Sequence, residues 1–355
     1  MGNFRSHIEI ADRKVGIGHP TFIVAEMSAN HNHDFDAAVK IIKAAKDAGA
    51  DAVKLQTYTP DTMTIDCDEQ SFQIPSGNTW EGRKLYDLYK DAYTPWEWQP
   101  KLKAVADDIG ILLFSTAFDL SSVDFLEEMG IDVYKIASFE LVDLPLIHKV
   151  AQTGKPIIMS TGLATLGEIE DAVMAAKNGG CDQLVLLECT SSYPASPSDS
   201  NLKTIPHLSE MFGVPTGLSD HTLGTAVSIA SVALGACMIE KHFKLTDGGD
   251  GPDTAFSITP EELKFMVESI RIVEQALGEV DYSVTQKEMN NRCFRRSLFA
   301  VKEIQKNEAF TNENVRSIRP GYGLPTKYLP EVLEGKAARN IRRGEPLTWD
   351  VIVGS

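Results

Sequence analysis

The sequence predicts an α/β protein, a (β/α)8 TIM barrel followed by a small separate C-terminal domain. Three observations carry that prediction. Eight short β-branched runs alternate with amphipathic stretches over roughly 250 residues, the count of a closed parallel barrel; an open doubly wound sheet would usually have fewer. No Gly-x-Gly-x-x-Gly follows the first run, which weakens the case for a dinucleotide-binding sheet. After Gly278 the pattern changes to a polar stretch and then to short strand-like pieces punctuated by glycine and proline.

The runs fall at 22–26, 52–56, 111–115, 133–136, 156–160, 183–188, 214–219 and 237–240. Between the first two, 34–48 carries Phe35, Val39, Ile42 and Ala45 at helical spacing. A stretch at 165–177 opens with Thr165 and Glu168, spaced as a capping box. The last helix is the best marked: Thr259 caps it, Pro260 suits its first position and Glu262 completes the box. Leu263, Met266, Val267, Ile270, Val273 and Leu277 then share a face until Gly278 stops it. An insertion at 57–95 interrupts the regular spacing and holds most of TWEGRKLYDLYKDAYTPWEW, which fits a pocket wall, a subunit contact or simple packing on the barrel rim. The predicted division is a barrel at 15–280, a linker at 281–296 and a tail domain at 297–355. The tail is too short for a large core, so it is expected to lean on the barrel or on a partner subunit.

Composition narrows the function. The 355 residues carry a formal charge of −16 with no long basic run, which argues against a nucleic-acid binder and against an anionic membrane. There is no apolar leader core and no run of about eighteen apolar residues, so a cytoplasmic protein is expected. Five cysteines without a Cys-x-x-Cys pair suggest neither a disulfide framework nor a thiolate zinc site.

In a barrel the residues closing each strand's C-terminal end face one pocket, and here those residues are polar. They include Glu26, then Lys54 with Gln56, two apart and so on one face, and Thr116. Lys135 with Ser138 and Glu140, Ser160, Ser191 with Tyr193, Ser219 with His221, and finally Glu240 with His242 continue the series. One such histidine alone is usually a hydrogen-bonded structural residue. Two of them, after the neighbouring seventh and eighth strands, can reach one ion with carboxylates nearby. Nitrogen and oxygen donors without thiolate suit manganese, iron, cobalt or zinc, with magnesium held more weakly. The two inward lysines admit three readings: an anion cradle shared with the hydroxyls, a Schiff-base lysine, or internal salt bridges. The number of hydroxyl donors favours the cradle.

At this point the motifs identify a resemblance. AEMSANHNHD from Ala25, KLQTYTPDTMTID from Lys54, YDLYKDAYTPWEW from Tyr86, YKIASFE from Tyr134 and GKPIIMSTGLA from Gly154 resemble the sialic acid synthase family. So do CTSSYPA from Cys189, GLSDHTLG from Gly217, EKHF from Glu240, GPDTAFS from Gly251, and RRSLFA and ENVRSIRPGYGL in the tail. The match runs from about residue 15 to the end. Ser191 replaces the asparagine usual in CTNxYP, and GPDT replaces GPDH; with the aromatic insertion, these departures shift the likeness toward the family's pseudaminic branch.

The resemblance implies a barrel followed by an antifreeze-like SAF domain, working as a domain-swapped homodimer. It implies condensation of phosphoenolpyruvate with an open-chain acetamido sugar and water. In the pseudaminic branch that sugar is 2,4-diacetamido-2,4,6-trideoxy-L-altrose, with N-acetylmannosamine or the legionaminic precursor as alternatives. It assigns His221 and His242 to a divalent metal, manganese foremost and magnesium or cobalt next. Lys54, Thr116, Lys135, Ser138, Ser160, Tyr193 and Ser219 then surround phosphoenolpyruvate. Glu26, Gln56, Asp253 and, across the dimer, Arg319 lie near the sugar and metal, and Ser191 bears on the choice of sugar. Glu140 handles the proton of the attacking water, with Glu26 as its rival.

Overall fold

The computed structural model describes residues 4–77, 80–245 and 251–354. It divides into two compact units, Met1–Gly278 and Glu279–Ser355. The first begins with a feature the sequence patterns did not predict: strands β1 (His7–Ile10) and β2 (Arg13–Gly16) pair antiparallel as a hairpin. Its Ile8, Ile10 and Val15 are fully buried and cluster with Phe22, Val24, Phe114 and Met238 from the barrel interior. Each such side chain taken from water contributes roughly 1.5–3 kcal/mol.

Eight parallel strands follow and close on themselves: β3 (Phe22–Glu26), β4 (Ala52–Thr57), β5 (Leu112–Ala117), β6 (Tyr134–Ile136), β7 (Ile157–Ser160), β8 (Leu184–Cys189), β9 (Thr216–Asp220) and β10 (Met238–His242). β10 returns to β3, so the sheet has no edge. All eight expected runs are strands, with ends displaced by a residue or two. Alternation along each strand sorts the side chains. Ile23, Ala25, Val53 and Leu55 face outward into one helix-covered cluster, and Ile136, Ile157, Met159 and Leu186 into another.

The helices begin where their capping residues stand. Asp34 accepts from the amides of Asp36 and Ala37 at the head of helix Phe35–Asp47. Thr165 with Glu168, and Thr259 with Glu262, form the expected capping boxes of Leu166–Asn178 and Pro260–Leu277. The insertion after β4 contains a turn of helix, Pro60–Met63, and a longer one, Leu85–Ala92. Among the described residues no helix is long and apolar enough to cross a membrane.

The second unit pairs β11 (Ser297–Ala300) with β12 (Val315–Ile318), and β13 (Lys336–Ala337) with β14 (Ile352–Val353), all antiparallel. It closes a core of its own from residues including Leu298, Phe310, Val332 and Leu347. The polar stretch at 281–296 groups with this unit and includes helix Gln286–Asn291, capped by Thr285 and Glu288.

Candidate active site

The parallel register sets the chemistry. Glu26 lies beside Lys54, Gln56 beside Thr116, Thr116 beside Lys135, Cys189 beside Ser219, Ser219 beside Glu240, and His242 beside Glu26. Polar residues toward the C-terminal ends of their strands therefore form a ring at one end of the barrel.

At its centre are two buried ammonium groups. Lys54 Nζ lies 2.6 Å from Glu26 Oε2 and donates to Thr116 Oγ1 at 3.0 Å. Lys135 Nζ donates to Ser160 Oγ at 2.7 Å. Glu240 stands between them, its Oε1 3.8 Å from Lys54 and 3.5 Å from Lys135, while Ser219 donates to the same oxygen at 3.0 Å. Burial alone would discharge these groups, and their mutual attraction opposes it. Burial lowers Lys54, but Glu240 and Glu26 outweigh it and hold the ammonium above its usual range. For Lys135 burial wins over Glu240, and the amine is pulled down. Burial raises Glu240, yet Lys135 and Lys54 bring it below the usual carboxylate value. These residues, with Ser138, Tyr193, His221 and His242, line a cavity of about 60 Å3. Gly162 belongs to its surroundings: the amide donates to Ser138 Oγ at 3.2 Å, and a Cβ there would collide with Ser191 Oγ and Ser138 Oγ.

A larger cavity of about 400 Å3 adjoins the first and shares Gln56, Phe118, Phe139, Tyr193 and His242 with it. Its walls are largely aromatic and aliphatic, from Tyr58, Trp80, Leu85, Leu88, Tyr89 and Phe118, with Ser28, Glu140 and Asp253 as polar points. The insertion thus lines a pocket, one of the roles its sequence suggested. Gln56 donates to Glu26 Oε1 at 2.9 Å and to Ser28 Oγ at 2.8 Å, and Ser28 donates to Asp253. Burial raises Glu26 and Glu140 each to about 7. The two differ in partners. Glu26 is tied to Lys54 and Gln56, whereas Glu140 Oε2 is buried with no hydrogen-bond partner.

His221 and His242 follow adjacent strands with ring centroids 5.3 Å apart. His221 Nδ1 lies 3.0 Å from the carbonyl of Thr190; a carbonyl only accepts, so that nitrogen carries a proton and Nε2 is the ring nitrogen left to face an ion. His242 Nδ1 is buried, has no hydrogen-bond partner and lies 4.0 Å from Asp253 Oδ2. Burial and the nearby cations hold His242 well below its usual value, so it is neutral. Two imidazole lone pairs and one carboxylate are the donor set a divalent ion of the manganese type accepts. Among the described residues no three His, Cys, Asp or Glu side chains stand close enough together to form a ready-made metal cluster.

Of the residues singled out in the sequence, the structure brings every barrel member except Ser191 to the two cavities. Ser191 stands one step back, its Oγ 3.8 Å from Cys189 Sγ. Arg319 belongs to the small unit and is exposed. Sequence reasoning noted Glu240 at a strand end and assigned it no role. Its spacing two before His242 already put both on the inward face.

A closed parallel barrel with this polar mouth defines a (β/α)8-barrel enzyme. The chain belongs to the NeuB family, whose model matches residues 41–282, and a SAF-domain model matches 295–353. It is similar to a pseudaminic acid synthase of Campylobacter jejuni, 44% identical with 98% of each chain covered. It is also similar to the N,N'-diacetyllegionaminic acid synthase of Legionella pneumophila, 37% identical over 93% of this chain and 94% of that one. Among solved structures, an N-acetylneuraminic acid synthetase of Leptospira borgpetersenii in complex with citrate superposes with a TM-score of 0.72. It is 30% identical and covers 82% of this chain and 96% of that one.

Proposed function

We propose that the chain is a pseudaminic acid synthase, joining phosphoenolpyruvate and 2,4-diacetamido-2,4,6-trideoxy-L-altrose with water and releasing phosphate. The coarser activity goes with the family: the chain is a phosphoenolpyruvate-dependent nonulosonic acid synthase. The observation that carries the reading is the pair of buried lysines sharing Glu240 beneath a largely apolar cavity. Phosphoenolpyruvate takes the inner cradle, with Lys54 and Lys135 as charged anchors and Thr116, Ser138, Ser160 and Ser219 as donors. The acceptor takes the outer cavity, where apolar walls suit a sugar with a methyl in place of a hydroxyl. The greater likeness to a pseudaminic than to a legionaminic synthase supports that choice of acceptor.

In the reaction C3 of phosphoenolpyruvate attacks the aldehyde carbon, whose oxygen takes up a proton, and C2 is left cationic. Water adds to C2 and loses a proton, and the tetrahedral intermediate expels phosphate by C–O cleavage, leaving the keto group. We assign the water's proton to Glu140, because its free oxygen faces no competing donor while Glu26 is held by Lys54. A divalent ion held by His221, His242 and Asp253 supplies Lewis acidity at the acceptor aldehyde when bound. The working unit in this reading is a cytoplasmic, domain-swapped homodimer in which Arg319 of one copy serves the other's barrel.

The test is phosphate release from phosphoenolpyruvate across a panel of acetamido sugars. The altrose should be preferred by about a hundredfold or more in kcat/KM, the discrimination that two unmet polar contacts supply. Equal use of N-acetylmannosamine or the legionaminic precursor reassigns the acceptor, and no release with any sugar sinks the reading. Bridging 18O should appear in phosphate; a borohydride-trapped lysine adduct would point to Schiff-base chemistry instead.

A further inference from the structure

The insertion forms a wall of the outer cavity, yet its helix Leu85–Ala92 buries only Leu88. Such an element needs anchoring from its ends. The anchoring is a chain of buried polar groups at the insertion's exit. His33 donates its backbone amide to His31 Nδ1 at 3.1 Å, so the proton of His31 sits on Nε2, which meets Thr94 Oγ1 at 3.0 Å. Gln99 Nε2 donates to the carbonyls of Thr94, at 3.3 Å, and Gln56, at 3.4 Å, while Thr57 Oγ1 donates to Gln99 Oε1 at 2.7 Å. Thr57, the last residue of β4, and Thr94 bracket the insertion. His31, Thr57, Thr94 and Gln99 are at most 1% exposed. On the surface His33 Nε2 adds a contact to the carbonyl of Lys90 at 3.1 Å.

We propose that His31, Thr94 and Gln99 are positioning residues that pin both ends of the insertion to the barrel and thereby set the affinity of the outer cavity for its acceptor. None of the three lines either cavity, so they act through the wall they hold. This inference rests on the acceptor occupying the outer cavity. Without the pin, the chain divides its time between states with the wall in place and states with it displaced. Apparent affinity then falls in proportion to the competent fraction. The two lysines of the inner cradle and their partners Glu240, Thr116 and Ser160 stand on barrel strands outside the insertion and keep their places.

The variant Thr94→Val keeps the side chain's shape and removes the hydroxyl, and Thr94→Ser keeps the hydroxyl. For Thr94→Val the acceptor KM should rise about tenfold, with the phosphoenolpyruvate KM within about twofold of wild type and kcat within about threefold. Thr94→Ser should stay within about twofold of wild type throughout. Amide hydrogen exchange across 85–98 should quicken in Thr94→Val, with the barrel helices unchanged. Gln99→Met provides a second break in the chain should Thr94→Val fail to fold, and should show the same split. Unchanged acceptor KM, or both KM values rising together, overturns the proposal. If the wild type uses no acetamido sugar, the functional reading fails and takes the acceptor role with it. That outcome is distinguished by the wild-type panel alone, before any variant is made.

Discussion

Burial raises Glu140 from 4.5 to about 7, so at neutral pH it stands near its midpoint. In its proposed role of taking water's proton it works ionised, and kcat should climb with pH to a plateau above about 7. The same shift has a cost in stability. The folded chain holds that proton more tightly than the unfolded chain, so stability falls as pH rises from 4.5 through about 7. Glu140→Gln should therefore abolish the acidic limb along with most activity. It should also stabilise the protein more at pH 8 than at pH 5, by on the order of 2 kcal/mol in chemical denaturation. A persisting limb would transfer the role to Glu26, which burial also raises to about 7. For the histidines, His221→Ala and His242→Ala should each lower bound metal after chelation and readdition. Turnover should drop at least about a hundredfold with the fold intact; full activity in metal-free protein excludes the assignment. Most of this ring was readable because an inward polar residue at a strand's end has few bland explanations. Glu240 escaped assignment because its part is set by where two distant lysines point, which strand-to-strand register decides and local sequence does not show.

The pair Asp220 and Lys241 belongs to the elements that carry the histidines. Each is next in sequence to one, and they are register partners on β9 and β10. Lys241 Nζ donates to Asp220 Oδ2 at 2.9 Å and to the carbonyl of Thr222 at 2.7 Å. Asp220 also accepts from the Thr222 amide at 2.8 Å and from Ser228 Oγ at 2.5 Å. Both partners are almost fully buried and well satisfied, so removing one leaves a charge without its counterion. Lys241→Met should destabilise the fold by roughly 3–5 kcal/mol, while the double variant with Asp220→Leu should recover much of that loss. Additive losses in a denaturation cycle would show that the pair is not coupled. Strands and capped helices were legible because hydrophobic period and capping chemistry are local. The hairpin β1–β2 was missed because its four-residue strands are too short for a period to stand out, and only the barrel interior gives Ile8 and Ile10 their burial.

On the scale of the whole molecule, the proposed swap has a test that deletion cannot match. Glu26→Ala and Arg319→Ala are co-expressed under different tags, and the mixed dimer is purified. If Arg319 serves the partner's barrel, one site receives both lesions and the other none, so turnover should return to about half of wild type. If it serves its own barrel, each site keeps one lesion and nothing is recovered. The small unit's part was unreadable from periodicity, since a short tail with its own core carries no pattern that names a partner. The two adjoining cavities also bear on kinetics. The smaller one is lined mostly by strand residues, the larger one mostly by the insertion and the loops, and the two share Gln56, Tyr193 and His242. In the proposed reading a sugar seated first would stand in the path of the smaller molecule, so the two should load in a preferred order, phosphoenolpyruvate before sugar. Excess sugar should then act as a cork and slow turnover by substrate inhibition, relieved as phosphoenolpyruvate is raised. An unreactive sugar alditol that seats in the empty outer cavity should do the same, its inhibition relieved as phosphoenolpyruvate is raised.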